Sequence, residues 1–196
     1  MDRQYVLEKL IPYRLGAVEA FAVALKYLQR PDTPQPMEIL FGGRLAIEGN
    51  SYGFLNPVFE SGLIHCRALL EFLGLCSVAK GTELGTVQLP RKGSDDWGIE
   101  RFSTTDGPLP LVTPALATAC YAGEPKEAEL ALLAVFHATN KGLAHITSGL
   151  DLSRAEARLL EIASRGVPSL VVSYLYAPLK LPPPPVVVTS RPRGGL

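Results

Sequence analysis

The 196-residue chain has little cysteine, little histidine, a single tryptophan and no net charge. Its three cysteines, Cys66, Cys76 and Cys120, form no C-x-x-C pair. Zinc-ribbon and thioredoxin-like sites are therefore excluded, and a sparse, odd set of thiols fits a reducing, cytoplasmic compartment. With 19 basic and 19 acidic side chains, global charge gives no sign of a nucleic-acid or membrane surface. No apolar run reaches the roughly 20 residues that cross a bilayer. The start, Met1-Asp2-Arg3, lacks a charged-then-apolar signal pattern. Walker loops, dinucleotide fingerprints, G-x-S-x-G elbows and internal repeats are all absent.

What is present is mostly helical pattern, with 47 % hydrophobic residues, enough for one domain with an ordinary core. Residues 4–29 repeat apolar side chains at three- and four-residue steps, with Pro12 kinking the helix or marking its start. Residues 37–53 read ambiguously, as a short helix interrupted by Gly42-Gly43. Asn56-Pro57 predicts a helix start and Gly74 its stop near Leu73. Val58, Phe59, Gly62, Leu63, Cys66, Leu69, Leu70 and Leu73 then share the buried face, and Cys66 is a buried thiol.

Residues 76–112 carry no strong period and read as one long irregular loop, anchored on the core by Trp97. Thr113-Pro114 opens a short helix, and Glu124-Pro125 the next. Asp151 or Ser153 caps the last helices, and Pro168 suggests a break between two of them. Residues 1–177 thus form one all-α domain, an antiparallel bundle of about five helices. Residues 178–196 are expected to be a mobile, Pro-rich, cationic tail carrying Lys180, Arg191 and Arg193, able to meet a partner protein.

Chemistry, if any, concentrates in two helical stretches. His137, Lys141 and His145 follow at four-residue steps on one stripe. His137 and His145 are about 12 Å apart along the axis, too far to share one ion, and a lysine between them repels a cation. No metal and no cofactor are expected. Arg67 and Glu71 have the spacing of a helix ion pair. Alternatively, Arg67 and Lys141 bind an anion, such as a phosphate of RNA or a nucleotide, with His145 moving a proton and Asn140 orienting the substrate. Cys66 and His65 are adjacent and point about 100° apart, so they form no dyad. Asp95, Asp96 and Glu100 cluster in the long loop, the usual signature of solvated turns.

The stretch His65-Cys66-Arg67-Ala68-Leu69-Leu70-Glu71-Phe72-Leu73, then Asp95-Asp96-Trp97, then Asn140-Lys141-Gly142-Leu143-Ala144-His145-Ile146-Thr147, resembles uncharacterised bacterial helical proteins over about residues 55–175. These are similar to the HEPN superfamily. That resemblance implies a four- or five-helix fold and homodimerisation. In active members it implies metal-independent ribonuclease chemistry from an arginine, a polar residue and a following histidine. Asn140 and His145 match the last two; Thr139 stands where the arginine belongs. The expectation is a non-catalytic interaction or structural module, with Arg67, Asn140 and His145 in a buried polar network that fixes helix register. The alternatives are a ribonuclease, with His145 as acid/base and Arg67 replacing the guanidinium, or a nucleotide or small-anion binder.

Overall fold

In a computed structural model, residues 2–30, 32, 34–91, 95–119, 121–142 and 153–188 are described, except for the side chains of 141 and 142. The all-α expectation is corrected. Helix makes up 59 % and strand 15 %, the latter in three two-stranded antiparallel sheets.

The first helix winds through one turn, Arg3–Tyr5, and a wide π-type turn, Val6–Leu10, into α1, Ile11–Leu28. Pro12 explains the wide turn. The Ile11 amide reaches back five residues to the Val6 carbonyl, and in that register the Leu7 carbonyl would need the amide of Pro12, which has none. The Tyr176 hydroxyl supplies the missing donor, 2.8 Å from the Leu7 oxygen.

Strands β1 (Pro36–Phe41) and β2 (Arg44–Asn50) occupy the ambiguous region. Gly42 and Gly43 have φ of 58° and 80°, the two left-handed residues that a tight two-residue hairpin turn requires. Helix α2, Ser51–Leu73, begins five residues before the expected Asn56, because the Asn50 side chain accepts from the Tyr52 amide. Pro57 lies inside α2. The helix stops at Gly74 (φ 106°), as expected of a left-handed glycine. Its buried face is Phe59, Gly62, Leu63, Cys66, Leu69, Leu70 and Leu73, joined by Phe72.

Residues 76–112 are not an element-free loop. They hold β3 (Leu75–Val78) paired with β4 (Glu83–Thr86), and β5 (Ser103–Thr104) paired with β6 (Gly107–Pro108). Leu84, Ile99, Phe102, Leu109 and Val112 are buried and close one side of the core. Trp97 does anchor this region, with its ring 6.2 Å from that of Phe102, which in turn packs on Phe72.

Helices α3 (Pro114–Ala119), α4 (Pro125–His137) and α5 (Arg154–Val171) complete the fold. Ser153 caps α5 in a reciprocal box with Glu156. The expected break at Pro168 does not occur. Val167, Leu170 and Val171 are buried around it, and packing holds the helix through the proline into a second wide turn, Val172–Tyr176. Beyond it, the chain returns along α1, where the Glu19 carboxylate accepts from the Val187 and Val188 amides at 2.7 and 2.9 Å. Residues 189–196, with Arg191 and Arg193, lie outside the described residues. Among the described residues, no helix is long and apolar enough to cross a membrane.

Candidate functional site

Arg67 stands on α2 on the side away from the core, and its guanidinium reaches three partners. Nε donates to Glu71 Oε1 at 2.8 Å, one helical turn on. Nη1 donates to Asn140 Oδ1 at 2.6 Å and stands 3.5 Å from Thr139 Oγ1. Asn140 and Thr139 sit in a wide turn, Ala138–Gly142, that ends α4. Arg67 and Asn140 therefore meet, but at the surface and not in the buried network expected: Arg67 is half-buried and Asn140 exposed. Lys141 and His145 do not enter this geometry, since the side chain of Lys141 and all of His145 lie outside the described residues.

Thr139 is buried, and its hydroxyl donates to the Val135 and Phe136 carbonyls at 2.8 and 3.1 Å. The position that the resemblance reserves for an arginine is thus turned into the protein. A hydroxyl bonded to its own helix fits there; a long cationic side chain does not. His137, on the exposed stripe, donates from Nε2 to the Gly81 carbonyl at 2.6 Å and so holds the β3–β4 turn.

The same end of α2 receives a second arginine that the sequence did not single out. Arg91 donates to the Glu71 and Phe72 carbonyls at 3.0 and 3.3 Å, and takes both oxygens of Glu100 at 2.8 and 3.1 Å. It adds a second donor to the Glu71 carbonyl, which also accepts from the Gly74 amide, serves the Phe72 carbonyl, and places a cation at the negative end of the helix dipole. Burial works to raise the Glu100 pKa, but the Arg91 hydrogen bonds hold the carboxyl below its ordinary value. Of the loop acids, Glu100 is thus committed to Arg91, and Asp95 and Asp96 are exposed. The partners of Arg91 lie 9, 19 and 20 residues away in sequence, and no local motif announces them.

Among the described residues, neither cysteine is activated. Cys66 is fully buried and burial pushes its thiol far up. Burial, and then the Glu71 charge, raise that of Cys76, so both are thiols at neutral pH. His65 does not join Arg67. It accepts at Nδ1 from Arg14 Nη1 at 3.1 Å, with the Tyr13 ring edge-on at 5.2 Å. Burial and then the Arg14 charge lower its pKa, so the ring is neutral. Among the described residues, no three His, Cys, Asp or Glu side chains gather as a metal site would require. No protein-family model, curated protein or solved structure matches the chain.

Proposed function

We propose that this protein is a non-catalytic interaction module that works as a homodimer. One observation carries this reading. The β1–β2 hairpin stands off the body with Leu40, Phe41, Leu45 and Ile47 exposed by 49, 68, 54 and 46 %. A lone two-stranded hairpin is marginal in water, and apolar side chains on its free strands favour pairing with another chain. Charge favours a second copy as the occupant. Arg44 lies at the turn end, and Glu38 sits directly opposite Glu48 nearer the base. Like charges facing each other across a hairpin are unfavourable. Two hairpins aligned antiparallel bring the Arg44 end of each beside the other's carboxylates.

The non-catalytic half rests on Arg67 and Thr139. Arg67 is hydrogen-bonded within its own chain to Glu71 and Asn140, and the buried threonine leaves no guanidinium at the ribonuclease position. Light scattering on purified protein tests the dimer. The expected mass is twice the chain mass; Arg44→Glu should halve it, and Arg44→Glu with Glu48→Arg should restore it. A wild-type mass of one chain at every concentration sinks the dimer. Incubation with mixed RNA in chelator, beside His145→Ala, tests the other half. Equal RNA survival is expected, and cleavage lost in the variant would establish an enzyme.

A further inference from the structure

The segment that returns along α1 is fastened there by one side chain. The turn after Tyr176 fixes where it begins: the Lys180 amide donates to the Ala177 carbonyl and the Leu181 amide to that of Tyr176, both at 3.0 Å. Residues 182–185 are prolines without amide hydrogens, so within 182–188 only the three valines can donate from the backbone. Two of them do, and both to Glu19 Oε2, at 2.7 Å from Val187 and 2.9 Å from Val188. Among the described residues, no other hydrogen bond ties this stretch to the body.

Apolar burial adds little to this hold, because Val186 and Val187 are exposed by 66 and 71 %. The hold depends on charge. Adjacent amides of a plain extended chain face opposite sides, and their convergence on one oxygen is the arrangement in which a backbone cups an anion. A glutamine at position 19 would keep the shape and offer only a neutral carbonyl, whereas bonds to an ionised acceptor are about twice as strong. The segment also shapes the surface. Val187 and Val188 form one wall of a groove of about 620 Å³ between α1 and α2, with Tyr13, Ala17, Phe54 and Val58 among its other walls. Val187 lies over Gly16, where a Cβ would stand 3.9 Å from the valine's own.

We propose that residues 182–188 are a strap that opens and closes as a unit, latched by the charge on Glu19. Closed, it completes the groove between α1 and α2. Open, it removes that wall and frees the proline run from the body. The hinge lies at Leu181, the last residue whose amide is bonded within the preceding turn. Two hydrogen bonds at the surface make the latch, so opening is a local event, far cheaper than unfolding the core beneath. The device is independent of both the hairpin and the Arg67 network.

Hydrogen exchange on the full chain tests the latch. In Glu19→Gln the Val187 and Val188 amides should exchange about tenfold faster than in wild type, the scale on which a charged acceptor exceeds a neutral one. Exchange in the buried part of α2, and the melting temperature, should stay at wild-type values, which separates opening of the strap from loss of the fold. Disulfide trapping tests the closed state. Gly16→Cys with Val187→Cys sets two thiols at a Cβ separation near the roughly 3.8 Å of natural disulfides. Mild oxidation should link them within one chain, seen as a 16–187 cross-linked peptide at the mass of a single chain, and adding Glu19→Gln should slow the linkage. Equal exchange at the two valines in wild type and Glu19→Gln overturns the charge latch, and this holds even where the cysteine pair disturbs α1. Failure of the folded pair to link overturns the closed state. Linkage found only between chains would seat the strap on a second copy and overturn the proposal equally.

Discussion

Arg67 and Asn140, 73 residues apart in sequence, meet through a 2.6 Å hydrogen bond that ties α2 to the wide turn ending α4. The same guanidinium holds Glu71, whose backbone carbonyl takes Arg91. Two arginines thus converge on one helix end, one fastening α4 to it and the other the β-rich segment after it. Among the described residues, the contacts of Arg67, Glu71 and Asn140 brace α2 against the end of α4.

A double-mutant cycle measures that brace. Asn140→Ala and Arg67→Ala should each lower thermal stability, by about 1 kcal/mol for a charge-assisted bond near the surface. Their effects should fall short of additive, because either change removes the same bond. Denaturant unfolding of both single variants and the pair gives the coupling. Strict additivity would mean that the two side chains do not act on each other.

The α1–α2 crossing is tight enough to be tested by one methyl group. Gly62→Ala forces a Cβ into Phe21, which is itself fully buried, so neither side can yield cheaply. The expected loss is roughly 1–3 kcal/mol, as for other overpacked cores. A melting temperature equal to wild type would show that the helices part without cost.

Legibility followed the range of the forces involved. Gly74, Ser153 and the Glu124-Pro125 start of α4 were readable because capping chemistry is local. The β1–β2 hairpin was not, since all of β2 is exposed and an uncovered strand shows no in-and-out alternation. The β3–β4 and β5–β6 pairs have strands of four and two residues, shorter than any window that reveals a period. At Pro168 a local rule predicted a break, and buried contacts on both sides overruled it. For the brace, the residue types of Arg67, Glu71 and Asn140 were readable. Their union across 73 residues, and the inward turn of Thr139, depended on how the helices pack.

Tyr176 offers a test of the wide turn before α1. Its hydroxyl serves the Leu7 carbonyl that Pro12 cannot, and burial raises its pKa to about 12. Tyr176→Phe keeps the ring and removes only the donor, leaving that oxygen unpaired against the core. Stability should fall by about 1–2 kcal/mol. Hydrogen exchange should also quicken at residues 6–11, where the helix loses its outside support. Unchanged stability and exchange would mean that water replaces the hydroxyl freely.

The neutral state of His65 predicts a specific acid sensitivity. Its pKa in the folded chain is lowered from 6.5 by burial and then by Arg14. Between the lowered value and 6.5 the unfolded chain binds a proton that the folded chain does not. Stability is therefore complete above about 6.5 and falls as pH drops through the folded-state value, where the ring charges, stops accepting from Arg14 and faces its guanidinium as a second cation. His65→Gln retains an acceptor for Arg14 and cannot titrate. Melting temperatures measured from neutral to mildly acidic pH should decline more steeply for wild type than for this variant. Parallel curves for the two proteins would remove His65 as the source of the slope, and with it the reading of Nδ1 as the acceptor in the Arg14 contact.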